Sequence, residues 1–216
     1  GQGVSKSVDY CKTNPGFGGS QISEDWAYCV LDNPVDDIPI IPAAYGCELD
    51  DYLNVNQLVT LCGFGATNTS GNIDGKKRFG EGKISGVGST IAVGPYNGVV
   101  ACPGDSGGPL LVQIADGSWR TMGITSTYSY CGEGGENRYA PIEGAVQWIE
   151  QDSGIDITPC FDSDGTWNPT SECKEFWAGD ATQYGNWSNG CSGSPVSGYS
   201  DACGEPFAGG DTDTDT

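Results

Sequence analysis

Ser106 stands in the string Ala101-Cys102-Pro103-Gly104-Asp105-Ser106-Gly107-Gly108-Pro109-Leu110. Glycines on both sides of a serine let the backbone fold tightly enough to aim successive N–H groups at one point. A serine held this way can attack a carbonyl carbon. The N–H groups of Gly104 and Ser106 can then receive the negative charge that develops on the carbonyl oxygen. The plainer reading is a glycine-rich turn between two strands. A serine hydroxyl is a poor nucleophile unless a nearby base takes its proton. Histidine is the common base, and the chain has none. Lysine can serve elsewhere, but no lysine here sits in a recognisable dyad pattern.

Composition narrows the setting of that chemistry. Ten cysteines without a histidine in 216 residues point to an oxidising compartment and to disulfides rather than zinc. Nine basic residues against 29 acidic ones leave a net charge of −20, which argues against nucleic acid or an anionic membrane as partner. No stretch is apolar for long enough to span a membrane, and no signal peptide opens the chain. It starts at Gly1-Gln2-Gly3 rather than Met. It reads as a mature or truncated piece of a longer secreted precursor, either free or tethered at a cell surface beyond its C-terminal linker.

Residues 1–20 are turn-rich and carry Cys11. Glu24-Asp25-Trp26-Ala27-Tyr28-Cys29-Val30-Leu31 has apolar residues on both faces and predicts a buried strand led in by an acid. By itself that acid could simply face solvent. Pro39 to Pro42 reads as a crossing between two halves of a fold, and Asn56 to Gly65 as a strand ending in Gly63-Phe64-Gly65. Lys76-Lys77-Arg78 closes a polar loop and reads as a solvated tip. Asp116-Gly117 is a hairpin turn signal between Leu110–Ile114 and Trp119–Ser126. Tyr139-Ala140-Pro141-Ile142 opens a helical pattern continued by Val146 and Ile149, with Pro141 suited to the first turn. Residues 159–208 change character: Cys160, Cys173, Cys191 and Cys203 predict a small module held by two disulfides, whose pairing the sequence does not choose. Asp162-Ser163-Asp164-Gly165 is too short for a calcium loop and reads as a turn. Residues 209–216 form an acidic Asp/Thr linker expected to be disordered.

The string around Ser106 resembles, residue for residue, the nucleophile loop of the chymotrypsin/trypsin-like serine proteases, and the resemblance covers about residues 1–158. It implies an all-β fold, a chymotrypsin-like double β-barrel closed by a C-terminal helix, with the first barrel incomplete here. Asp25, followed by a short apolar strand and Pro34, matches the carboxylate that orients the catalytic imidazole, with Ser106 as nucleophile. Gly104 and Ser106 match the oxyanion hole. Ser126 is the serine expected to hydrogen-bond Asp25, and Thr127 continues the substrate-lining strand. Val100 falls at the base of the specificity pocket, and Tyr128 stands where open pockets carry glycine. A cation entering beside Val100 would lose its hydration without compensation, so the expected preference is for small or medium apolar residues. Its rival is a basic preference restored by Glu133 or Glu136.

In this family Asp105 pairs with an amine freed by zymogen cleavage. That amine would come from an upstream segment, not from Gly1. Cys102 and Cys131 are implied to be bonded, while Cys11, Cys29, Cys47 and Cys62 are left unassigned. The family order is His, Asp, Ser, so a matching histidine would lie upstream of Gly1. The resemblance therefore implies a serine endopeptidase acting on protein or peptide substrates, with no metal or organic cofactor. It needs the missing N-terminal protease segment as its partner, and this chain alone should be close to inactive. The alternatives are an inactive homologue acting as a secreted binding module and an enzyme with another base.

Overall fold

The computed structural model describes residues 5–181 and 194–209. Strands β1 (Val8–Thr13) and β2 (Ala27–Leu31) pair antiparallel as a two-stranded ribbon. A short helix, α1 (Cys47–Tyr52), follows the Pro39–Pro42 crossing. The chain then builds β3 (Leu58–Gly63), β4 (Arg78–Val87), β5 (Ile91–Gly94), β6 (Pro109–Gln113), β7 (Trp119–Tyr128) and β8 (Asn137–Pro141). These close into an antiparallel barrel in the order β3-β4-β5-β8-β7-β6. Helix α2 (Glu143–Ser153) is the last regular element among the described residues, stopped by Gly154 at φ +71°. This mostly-β architecture is that of a chymotrypsin-like fold.

Closure removes the free edges that strands otherwise leave. The interior is filled by Leu61, Ile84, Ile91, Val93, Leu110 and Val112, all buried. Trp119–Ser126 and Leu110–Ile114 pair as the predicted hairpin, turning at Gly117 with φ +84°. Two expectations about the strands need correction. Tyr139–Pro141 belongs to β8, and Pro141 ends that strand instead of opening the helix. The run from Ala27 to Leu31 is not buried on both faces: Ala27, Cys29 and Leu31 are exposed while Tyr28 and Val30 are half-buried. Its half-buried face is the one that carries Tyr28, which packs on Trp148 of α2, and the opposite face is left to solvent.

Disulfides join Cys11–Cys29, Cys47–Cys203, Cys102–Cys131 and Cys160–Cys173, and Cys62 is a free thiol. The expectation of two bridges within residues 159–208 is therefore corrected at Cys203, which reaches back to α1 instead. Pairing follows spatial adjacency, which cysteine spacing alone does not reveal. Cys191 and the Asp/Thr repeat beyond Gly209 lie outside the described residues, as does Gly1. The C-terminal segment adds a second core in which Phe161, Cys173 and Phe176 pack with Ala43, Tyr45 and Val146.

Candidate active site

The loop from Cys102 to Gly108 joins the barrel wall to β6. Gly104 and Gly107 take φ of +93° and +81°, left-handed values that side chains rarely adopt. Most of the loop's N–H groups are committed. Asp105 N–H donates to Cys102 O at 3.0 Å, Gly107 N–H to Thr125 O at 2.9 Å, and Gly108 N–H to Asp105 O at 2.9 Å. That leaves the N–H groups of Gly104 and Ser106 without an acceptor among the described residues. Both residues are exposed, so the two donors and the Ser106 hydroxyl face an approachable surface.

The loop is shaped from behind by Asp105. Its Oδ1 accepts from Gly65 N–H and its Oδ2 from Cys102 N–H, each at 2.8 Å. A Cβ at Gly63 or Gly65 would overlap the Asp105 carboxylate. The Gly63-Phe64-Gly65 strand end is thus explained by the close approach of that side chain. A reciprocal pair, Thr125 N–H to Gly108 O at 2.9 Å and Gly107 N–H to Thr125 O, fastens the loop to β7.

Asp25 comes from a separate element, the connection between β1 and β2. It follows the helical turn Ile22–Glu24 and donates its N–H to Ile22 O at 3.1 Å. That turn lies against β8 and α2. Ser126 Oγ–H donates to Asp25 Oδ2 at 2.5 Å, across a sequence separation of 101 residues. The β7–β8 register shifts between Thr125 and Thr127, so Ser126 is the extra residue of a bulge. Bulges re-aim side chains, which accounts for Ser126 leaving the ladder toward Asp25. The ribbon is held to α2 by Tyr28 against Trp148, with ring centroids 5.2 Å apart and edge to face. Lys12 Nζ bonds Asp152 at 2.7 Å, and the Tyr28 hydroxyl also donates to Asp152. These two donors, Lys12 first, hold the Asp152 carboxyl below its ordinary value.

A cavity of about 250 Å³ opens behind the serine loop, with Val100, Asp105, Cys62 and Thr125 in its wall. Val100 packs against Ala66 and the Cys102–Cys131 bridge. Burial pushes the Cys62 thiol up, against a small opposing pull from Lys77. Neither Glu133 nor Glu136 lines this cavity. Glu136 is engaged elsewhere, by Arg138 at 2.6 Å and Ser85 at 3.2 Å. Thr127 and Tyr128 are exposed at the end of β7. Asn137, near which the family resemblance puts a polar wall of the specificity pocket, does not line this cavity: it is fully buried, and its amide finds no partner among the described residues.

A closed barrel presenting a glycine-bounded serine, with an aspartate-bearing ribbon docked on its terminal helix, belongs to the serine-protease-like class of β folds. Residues 1–149 match the family described as Trypsin, and the chain belongs to that family. It is similar to Spermosin of Halocynthia roretzi, 42% identical over 62 residues, covering 28% of this chain and 16% of the relative. It is also similar to Serine protease 7 of Drosophila melanogaster, 29% identical over 112 residues, covering 45% of this chain and 29% of the relative. The chain thus spans under a third of the length of either relative.

Proposed function

We propose that the chain is the Asp- and Ser-bearing part of a secreted serine endopeptidase. Ser106 attacks the peptide carbonyl, and the N–H groups of Gly104 and Ser106 hold the oxyanion. Asp25 orients an imidazole supplied by an upstream segment. Water then hydrolyses the acyl-enzyme on Ser106. The observation that carries this reading is the Ser126–Asp25 hydrogen bond, which ties an acid from the ribbon to the strand that also fastens the Ser106 loop. Asp25 Oδ1 takes no donor among the described residues, which leaves an acceptor for an imidazole N–H. Asp105 lies in the wall of the 250 Å³ cavity, where an amine freed by cleavage could reach it. Val100 supports an apolar preference for the residue before the cut bond, and Thr127 and Tyr128 offer strand edge to the substrate.

The test compares the longer, processed protein carrying the upstream segment with the 216-residue chain, on casein and with an organophosphate serine reagent. The longer protein should hydrolyse casein and label at Ser106. Ser106→Ala should abolish labelling and lower kcat by at least about 10³-fold. The 216-residue chain should show only a residual rate from the oxyanion hole and binding. Equal activity in both proteins would refute the upstream base. A longer protein that carries a histidine, folds, and neither labels nor cleaves would put the inactive binding homologue in its place.

A further inference from the structure

We infer that residues 158–181 and 194–208 are a fixed clamp on the base of β7, folding as one unit with the barrel rather than as a separate module. The inference is independent of the proposed activity. It starts from a charge pair that plays no part in the site: Arg120 Nε donates to Glu48 Oε1 at 2.8 Å, and both side chains are 1% exposed. Taking two charges out of water is costly unless every remaining donor is satisfied. Arg120 Nη1 donates to Ser118 Oγ at 2.8 Å and to Trp119 O at 3.1 Å. What is left is satisfied by the C-terminal segment. Nη2 donates to Ser200 Oγ at 3.3 Å, and the guanidinium lies 4.6 Å from the centroid of the Phe176 ring, itself fully buried. Ser200 Oγ–H in turn donates to Asp116 Oδ2 at 3.1 Å, completing the network.

The main chain repeats the pattern. Trp119 N–H donates to Trp177 O at 3.0 Å, and Trp177 N–H donates to Ile40 O at 2.9 Å. Trp119 Nε1 donates to Gly179 O at 2.9 Å. The segment therefore bridges β7 and the Pro39–Pro42 crossing, satisfying groups that a free barrel would leave to water. The Cys47–Cys203 bond anchors it at the residue next to Glu48. An ion pair roofed by Phe176 and Ser200 is stable only while that roof stays in place, which couples the segment to the strand that carries Ser126.

The experiment uses the full chain. Calorimetry should give a single unfolding transition, and Cys203→Ser combined with Phe176→Ala should lower it by about 10 °C. Glu48→Gln should lower it further than the pair Glu48→Leu with Arg120→Met, because only the single change strands a buried charge. Because these variants can fail to fold, a recognition site for a specific endoprotease is placed at Gly154–Ile155 in otherwise unchanged protein and cut after folding. Cutting followed by reduction should raise amide exchange at Trp119, Arg120 and Thr121 at least tenfold. Two separate transitions, or unchanged exchange at those amides once the segment has been removed, would overturn the inference.

Discussion

The barrel that presents Ser106 and the ribbon that presents Asp25 are both antiparallel sheet, yet they are held in different ways. In the barrel each strand has a neighbour on both sides, and β5 and β6 each bury three successive residues, so both faces of these strands are covered. In the ribbon every β1 residue except Tyr10 is exposed, and β2 alternates between exposed and half-buried. A further apolar cavity of about 570 Å³ lies between β2 and the end of α2, walled by Val30, Leu31, Pro34, Ile149 and Ile157. Half of the candidate site is thus fixed by a closed core, and half by a few rim contacts to α2. The geometry that joins Asp25 to Ser126 is only as firm as the weaker of these two supports.

The largest effect that separates them is in the core. Leu110 is fully buried in the barrel, so Leu110→Ala should cost about 2–5 kcal/mol in a denaturant titration. Leu31 is 40% exposed on the ribbon, and Leu31→Ala should stay within about 0.5 kcal/mol. Comparable losses at the two positions would show that the ribbon shares the barrel's core after all. Where the two supports meet, Ser126→Ala removes a hydrogen bond to a partly exposed carboxylate and should cost about 1 kcal/mol. Exchange of the Asp25 and Trp26 amides should rise with it, while barrel amides stay protected. Unchanged exchange at Asp25 would mean that the ribbon holds the acid without Ser126.

The same contrast governs what was legible in the sequence. The serine loop was readable because its glycines are forced locally, by left-handed φ at Gly104 and Gly107. The hairpin at Asp116-Gly117 and the terminal helix were readable for the same reason, since turn chemistry and helical period are local. Helix α1 is too short to show a period, and β4 has glycine at Gly80, Gly82 and Gly86, which blurs any alternation. The exposure of β2 was missed because an apolar run looks the same whether both of its faces are covered or only one. The reach of Cys203 to Cys47, across 156 residues, and the roof over Arg120 are long-range facts that no spacing encodes. They surround a residue, Arg120, that by type is expected at the surface.

The smallest effect is a difference in slope with pH. The Asp152 carboxyl, which docks the ribbon, is held below its ordinary value by the Lys12 and Tyr28 hydrogen bonds. A depressed carboxyl contributes stability that is complete above its unfolded value and is lost as pH falls through that value toward the folded one. Glu48 at the base of the barrel is shifted the other way, raised by burial against the pull of Arg120. A raised carboxyl binds its proton more tightly when folded. Its ionisation therefore opposes folding as pH rises from the unfolded value through the folded one, and the opposition is absent below both. Lowering the pH from about 6 to about 3 should then fray the ribbon before the barrel. Amide exchange at Tyr28 and Cys29 should accelerate while that at Trp119 and Arg120 lags behind. Asp152→Asn should flatten the ribbon's profile and leave the barrel's untouched. Glu48→Gln should remove the barrel's lag without altering the ribbon. If exchange in the two regions rose in parallel and neither substitution separated them, ribbon and barrel would be one cooperative unit, and the unequal support of Asp25 and Ser106 would be disproved.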